Sequence, residues 1–163
     1  MSLGVAVLAF VTLQRLAELW LANSNSRRLL AQGAREFGAG HYPLIVAVHA
    51  AWLAALWWWA PGRPINIVML IAFGLLQLGR VWVIASLGSR WTTRIIVTLQ
   101  PLVRKGPYRW VDHPNYLIVV LEIAFLPLAF GLWPIALVFS ALNAAVLAVR
   151  IKAEDEALAS LRG

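Results

Sequence analysis

The chain has 163 residues, is 61% hydrophobic and 13% charged, and carries a formal net charge of +7, with a mean hydropathy of +0.76. A soluble domain of this length is usually less apolar and more highly charged, so the composition reads as an integral membrane protein. The absence of cysteine excludes disulfides and thiolate metal sites, and no metal is expected.

A bilayer-spanning helix needs about 20 mostly apolar residues, and five segments come near that length. The first runs from about Leu3 to Ala22. It lacks a basic leader, and Arg15 and Glu18 interrupt it, so no cleavable signal peptide is expected. Gln14, Arg15 and Glu18 are three and four residues apart and can satisfy one another on a helix face. The second segment runs from Tyr42 to Ala60 and contains His49; the third runs from Ile65 to about Leu87. After a polar stretch, a fourth runs from about Tyr116 to Trp133 and a fifth from Ile135 to Ile151. Gly131 and Pro134 between the last two predict a tight helical hairpin. The fold class expected is therefore all-α, with about five transmembrane helices in one domain, residues 1–163. Residues 1–87 hold three spans, and residues 88–163 hold a long loop, the hairpin and a C-terminal helix.

Loop charges predict the topology. Arg27, Arg28 and Arg35 follow the first span, and Arg90, Arg94, Arg104, Lys105 and Arg109 follow the third; the loop after the second span has only Arg63. The positive-inside rule places the first and third loops in the cytoplasm, the N-terminus outside and the C-terminus inside. These cations alternate with apolar blocks, so lipid headgroups rather than nucleic acid are their expected partners. The nine Trp and three Tyr suit anchors at the membrane surface.

Residues 88–116, GSRWTTRIIVTLQPLVRKGPYRWVDHPNY, exceed the 12–15 residues or so of a plain connection. Trp91, Tyr108, Trp110 and Tyr116 give the loop material to pack, and Ile95–Val97 suits a short extended piece. Gly106-Pro107 marks a turn, and Pro114 suits the first turn of the next helix. The last helix is polar at Arg150, Lys152, Glu154, Asp155 and Glu156. Arg150 and Glu154 share a face, and Asn143 lies nearly on that face, deeper in the membrane. His49 and Asn143 read as hydrogen-bonded packing groups. Glu122 lies about 13 Å deeper along a helix than His113. As an ionisable group within a span it is a functional candidate by default: it either packs, against Asn143 for example, or borders a tunnel for a lipophilic acceptor.

LVRKGPYRWVDHPNY, followed about 35 residues later by RIKAEDEAL, resembles the isoprenylcysteine carboxyl methyltransferase family. That family shows LV-x-x-G-x-Y-x-x-x-R-H-P-x-Y, a pair of spans, then R-x-x-x-E-E/D. QRLAEL, GAREFGAGHYP and His49 resemble a bacterial subgroup that is often linked to type III polyketide synthases and methylates long-chain alkylpyrones. The resemblance implies S-adenosylmethionine bound at the cytoplasmic membrane face, without a Rossmann fold. By position it assigns the donor to Gln100, Pro101, Leu102, Val103, Tyr108, His113, Pro114, Asn115, Tyr116 and Glu154, and the substrate-side, catalytic arginine to Arg150. Gln100 stands where the family often has His. Asp112 stands where it has Arg, which reverses the charge beside His113.

The side-chain chemistry agrees with that carry-over. A carboxylate such as Glu154 accepts from an ammonium or ribose hydroxyls, and aromatic rings attract a sulfonium by about 0.5–2 kcal/mol. The fork of Arg150 binds planar anions. The expected function is methyl transfer to an oxygen of a lipophilic acceptor, a long-chain pyrone or related polyketide lipid or else a prenylcysteine carboxylate. A carboxylate or an acidic pyrone enol is already largely ionised near neutral pH, so no strong general base is then needed. Two other classes remain open: a small proton-coupled exporter using Glu18 or Glu122, and a non-catalytic membrane partner, which Asp112 would suit.

Overall fold

The structure, a computed structural model, describes residues 2–101 and 103–159. Five α-helices carry the fold: α1 (Leu3–Ala31), α2 (Tyr42–Trp59), α3 (Ile67–Leu87), α4 (Pro114–Ala129) and α5 (Trp133–Ala159). Two short strands, β1 (Arg35–Phe37) and β2 (Ile95–Val97), pair antiparallel, with Glu36 opposite Ile96. The expected extended piece at 95–97 is thus one half of a ribbon whose other half the sequence reading missed.

Helix boundaries follow local chemistry. Ser2 and Asn66 cap α1 and α3, each accepting a backbone N–H three residues on, which satisfies one of the orphan donors of a helix start. Pro43 and Pro114 stand in the first turns of α2 and α4, where a missing N–H costs nothing. The first helix runs nine residues past the expected Ala22, to Ala31. No Gly or Pro lies between Ala22 and Gly33, so Arg27 and Arg28 lie on its last turns rather than in a loop.

The hairpin of α4 and α5 is present, turned at Gly131 with φ 67°, but its lengths differ from expectation. The last helix has 27 residues, from Trp133 to Ala159, because the charged segment after Ile151 continues the helix. By length and composition four helices can cross a bilayer, α1, α2, α3 and α5, each extended by flanking turns where these continue it. The 16 residues of α4 rise about 24 Å, short of a hydrocarbon layer of about 30 Å.

The helices pinch together at one end. Leu8 and Val11 of α1, Trp52 and Leu56 of α2, Phe73 of α3, and Ile123 and Leu126 of α4 form one buried cluster with Phe130 and Leu132. Asn66 N–H donates to the Ala129 carbonyl at 2.8 Å, and Trp52 Nε1 to the Ile123 carbonyl at 3.2 Å. The other end, beneath the 88–113 segment, is more open, and both cavities described below lie there.

Three helices are also joined by buried charge. Arg80 of α3 donates Nε to Glu18 Oε1 at 2.5 Å and a terminal nitrogen to Glu18 Oε2 at 2.7 Å. Its other terminal nitrogen donates to Glu122 Oε2 at 2.8 Å. Arg15 donates to Glu18 at 3.1 Å and Glu122 at 2.7 Å. Gln77 donates to Glu122 Oε1 at 2.8 Å, and Gln14 bridges Gln77 and Glu18. Gln14, Arg15 and Glu18 do satisfy one another, as expected, within a larger cluster. Two guanidiniums and two carboxylates cancel, as burial in an apolar medium demands.

Candidate active site

The long segment between α3 and α4 is held from several sides. Asn25, on the unforeseen extension of α1, donates to the Trp91 carbonyl at 2.8 Å, and Arg28 donates to the Ser89 carbonyl at 3.0 Å. Arg94 pairs with Glu36 at 3.2 Å and lies over the Tyr42 ring, whose hydroxyl meets Thr93 Oγ1 at 3.0 Å. Arg90 donates to the Pro101 carbonyl at 2.8 Å. Ile95 and Val97 pack with Ala157 of α5. Gly106, with φ 58°, lies so close to the end of α3 that a Cβ there would run into Ser86 Oγ; only glycine fits that approach.

This segment and the C-terminal half of α5 enclose a polar cavity of about 800 Å³. Among the expected donor residues, Gln100, Pro101, Val103, Tyr108, His113, Asn115, Tyr116 and Glu154 line it, as does Arg150. Pro114 does not line it and instead opens α4. Leu102 lies outside the described residues. Asp112 and Asp155 also face this cavity.

Tyr116 is the hub. Its hydroxyl donates to Glu154 Oε2 and accepts from Arg150 Nε at 2.7 Å. Arg150 and Glu154, neighbours on one helix face, are therefore joined through a phenol from α4 and not by direct contact. The Tyr116 ring stacks on His113 at 5.2 Å between centroids, and the Arg150 guanidinium lies 5.4 Å from its centre. His113 Nδ1 approaches Glu154 to 3.9 Å, and its Nε2 approaches Asp155 to 3.4 Å. Burial, and then the Glu154 carboxylate, push the Tyr108 phenol well above its ordinary range, so it stays a neutral donor at physiological pH.

A second cavity, of about 270 Å³, lies among α1, α2, α4 and α5 and is lined mostly by apolar side chains. Leu16 of α1 and Val46 of α2, both exposed apolar residues, stand on its wall. Trp91, Asn115, Tyr116 and Arg150 line both cavities. Trp91 Nε1 and Asn115 Oδ1, on that shared wall, are buried without a hydrogen-bond partner. Each such orphan costs about 1–3 kcal/mol, as is common where a site is built for a ligand. Arg150 is 8% exposed, and its terminal nitrogens have no protein partner among the described residues.

Glu122, expected to pack or to border an acceptor tunnel, is fully buried in the charge cluster and lines neither cavity. Its partners are Arg15, Arg80 and Gln77, not Asn143. Asn143 lines the apolar cavity without any hydrogen-bond partner among the described residues, so it is not the hydrogen-bonded packing group expected. Sequence reasoning missed Arg80 and the double placement of Trp91. A lone arginine in an otherwise apolar span signals the first, because it must find a buried counter-charge.

Comparison with known proteins agrees with this architecture. YpbQ of Bacillus subtilis, described only as an uncharacterized protein, is 38% identical over 166 aligned residues, covering 93% of this chain and 94% of its own. An uncharacterized protein of Haemophilus influenzae is 26% identical over 156 residues, covering 90% of each. No solved structure matches the chain. The model of the isoprenylcysteine carboxyl methyltransferase family matches residues 67–160, the stretch that builds α3, the long loop after it, the hairpin and the Tyr116–Arg150–Glu154 junction. The chain thus belongs to the isoprenylcysteine carboxyl methyltransferase family of membrane methyltransferases.

Proposed function

We propose that the protein is an S-adenosylmethionine-dependent O-methyltransferase acting on a lipophilic acceptor, either a long-chain pyrone or related polyketide lipid or a prenylcysteine carboxylate. The observation that carries this reading is the meeting of a polar and an apolar cavity across one shared wall. A water-soluble donor and a lipid acceptor need such a pair of compartments with one point of contact.

The polar cavity fits the donor in size and chemistry. Glu154 offers a carboxylate to an ammonium or to ribose hydroxyls, and the stacked His113 and Tyr116 offer aromatic faces. When bound, S-adenosylmethionine supplies an electrophilic methyl group on a sulfonium. Arg150 holds the acceptor's anionic oxygen, because its Nε is fixed by Tyr116 while both terminal nitrogens stay free. The apolar wall keeps water away from that oxygen, which raises its reactivity. Fixing both partners in reach supplies most of the rate. Donor cavity, C-terminus and basic loops lie on the cytoplasmic side in this reading, and the N-terminus lies outside.

The test is calorimetric titration of S-adenosylmethionine into the detergent-purified protein. Glu154→Ala and His113→Ala are expected to weaken binding at least tenfold. Unchanged affinity in both variants would remove the donor from this cavity.

A further inference from the structure

The apolar cavity holds polar groups that its lining does not need. Asn143 of α5 is 4% exposed, lines the cavity, and has no hydrogen-bond partner among the described residues. Neither of its amide atoms is fully enclosed by protein, so the amide reaches the cavity. His49 of α2 lines the same cavity. Its Nδ1 lies 2.9 Å from the Ile45 carbonyl of its own helix. That carbonyl accepts only, so Nδ1 carries the proton and Nε2 carries a lone pair. Nε2 has no partner among the described residues and is likewise not sealed off. A buried amide left unpaired, and a half-buried imidazole with one nitrogen unpaired, are costly in apolar surroundings, and an apolar tail alone would leave them so.

We propose that Asn143 and His49 form a second polar subsite, one that reads a hydroxyl on the acceptor remote from the oxygen that is methylated. This rests on the methyltransferase reading for the role of the first oxygen only. A hydroxyl matches both groups: it donates to His49 Nε2 and accepts from the Asn143 amide. A carbonyl or ether cannot serve Nε2, which has no proton to give. Asn143 lies seven residues before Arg150 on α5, a rise of roughly 10 Å. The acceptor is therefore an amphiphile with two oxygens, one acidic and one a hydrogen-bond donor, and an apolar tail.

The experiment compares two lipids that differ by one hydroxyl, 5-pentadecylresorcinol and 3-pentadecylphenol, by binding to the purified full chain in detergent micelles and by radiolabelled methyl transfer. The wild type is expected to bind the resorcinol about tenfold more tightly, the effect of one well-made buried hydrogen bond pair. Asn143→Leu and His49→Phe each bring that ratio near one while leaving affinity for the phenol unchanged or improved. His49→Gln, which presents an acceptor oxygen, restores several-fold of it. Asn143→Leu keeps or raises the melting temperature, whereas a packing role for the amide would lower it. Equal binding of the two lipids by the wild type, failure of both to bind, or a ratio that survives in both variants overturns the subsite. Preferential binding of the resorcinol supports the subsite whether or not methyl is transferred, because both phenols are largely protonated near neutral pH; the proposed reaction stands or falls instead on donor binding to the polar cavity.

Discussion

Replacing Tyr116 by Phe removes one oxygen atom and tests how the junction is organised. The ring stays, so its stack on His113 at 5.2 Å is kept. Two charge-assisted hydrogen bonds are lost, one to Glu154 and one from Arg150 Nε at 2.7 Å. The two partners do not suffer equally. The Glu154 side chain is 27% exposed and can turn to water, whereas Arg150 is 8% exposed and has no other hydrogen-bond partner among the described residues. Hydrogen bonds to charged groups contribute about 1.5–3 kcal/mol, and most of that loss falls on the fixing of the guanidinium. Misplacing a positioning group by 1 Å costs on the order of 10²-fold in rate. We expect kcat to fall 10- to 100-fold in Tyr116→Phe, about 1.4–2.8 kcal/mol in the barrier. The dissociation constant for S-adenosylmethionine should rise less than about tenfold. Calorimetry gives the binding arm and radiolabelled transfer under saturating donor gives the rate. A variant whose rate drops no more than its donor affinity would refute the role assigned to the hydroxyl.

Two further outcomes follow from the packing. Arg80→Met leaves Glu18 and Glu122 facing only Arg15, and breaking a buried pair costs about 3–5 kcal/mol. Thermal unfolding in detergent should show a large drop in melting temperature, and adding Glu122→Gln, which restores neutrality, should recover part of it; a double variant no better than the single one refutes charge balance as the cause. Gly106→Ala forces a positive φ on a residue with a Cβ and drives that Cβ toward Ser86. Donor affinity should fall at least tenfold with faster proteolysis between residues 98 and 106, and wild-type affinity would show that the loop does not depend on this contact.

The helical plan is legible in the sequence because apolar runs of bilayer length leave few alternatives. The end of α1 is not, because Asn23, Ser24, Asn25 and Ser26 read as a loop by composition. Their helical state depends on what they meet: Asn25 on Trp91, Arg28 on Ser89. Similarly, Arg35–Phe37 has no strand pattern of its own and pairs only because Ile95–Val97 is delivered to it. In the site, the grouping of His113, Tyr116, Arg150 and Glu154 follows from motif spacing along two helices. The hydroxyl of Tyr116 standing between Arg150 and Glu154 does not, since spacing fixes which face a residue takes and not which atom reaches which. Glu122 is recognisable as unusual, but its partners Arg15 and Arg80 lie 107 and 42 residues away, and no local pattern joins them.

The buried charge cluster also bears on how the chain is assembled during synthesis. A lone arginine at mid-bilayer costs about 2.5–3.5 kcal/mol on insertion scales. The first helix arrives with Arg15 and Glu18 already paired at 3.1 Å. The third brings Arg80 to the carboxylate of Glu18, which leaves a surplus positive charge among the inserted segments. Only Glu122, delivered by α4, cancels it. The helix least able to hold itself in the bilayer by length thus carries the ion its predecessors lack, and its insertion is driven by what has been built before it.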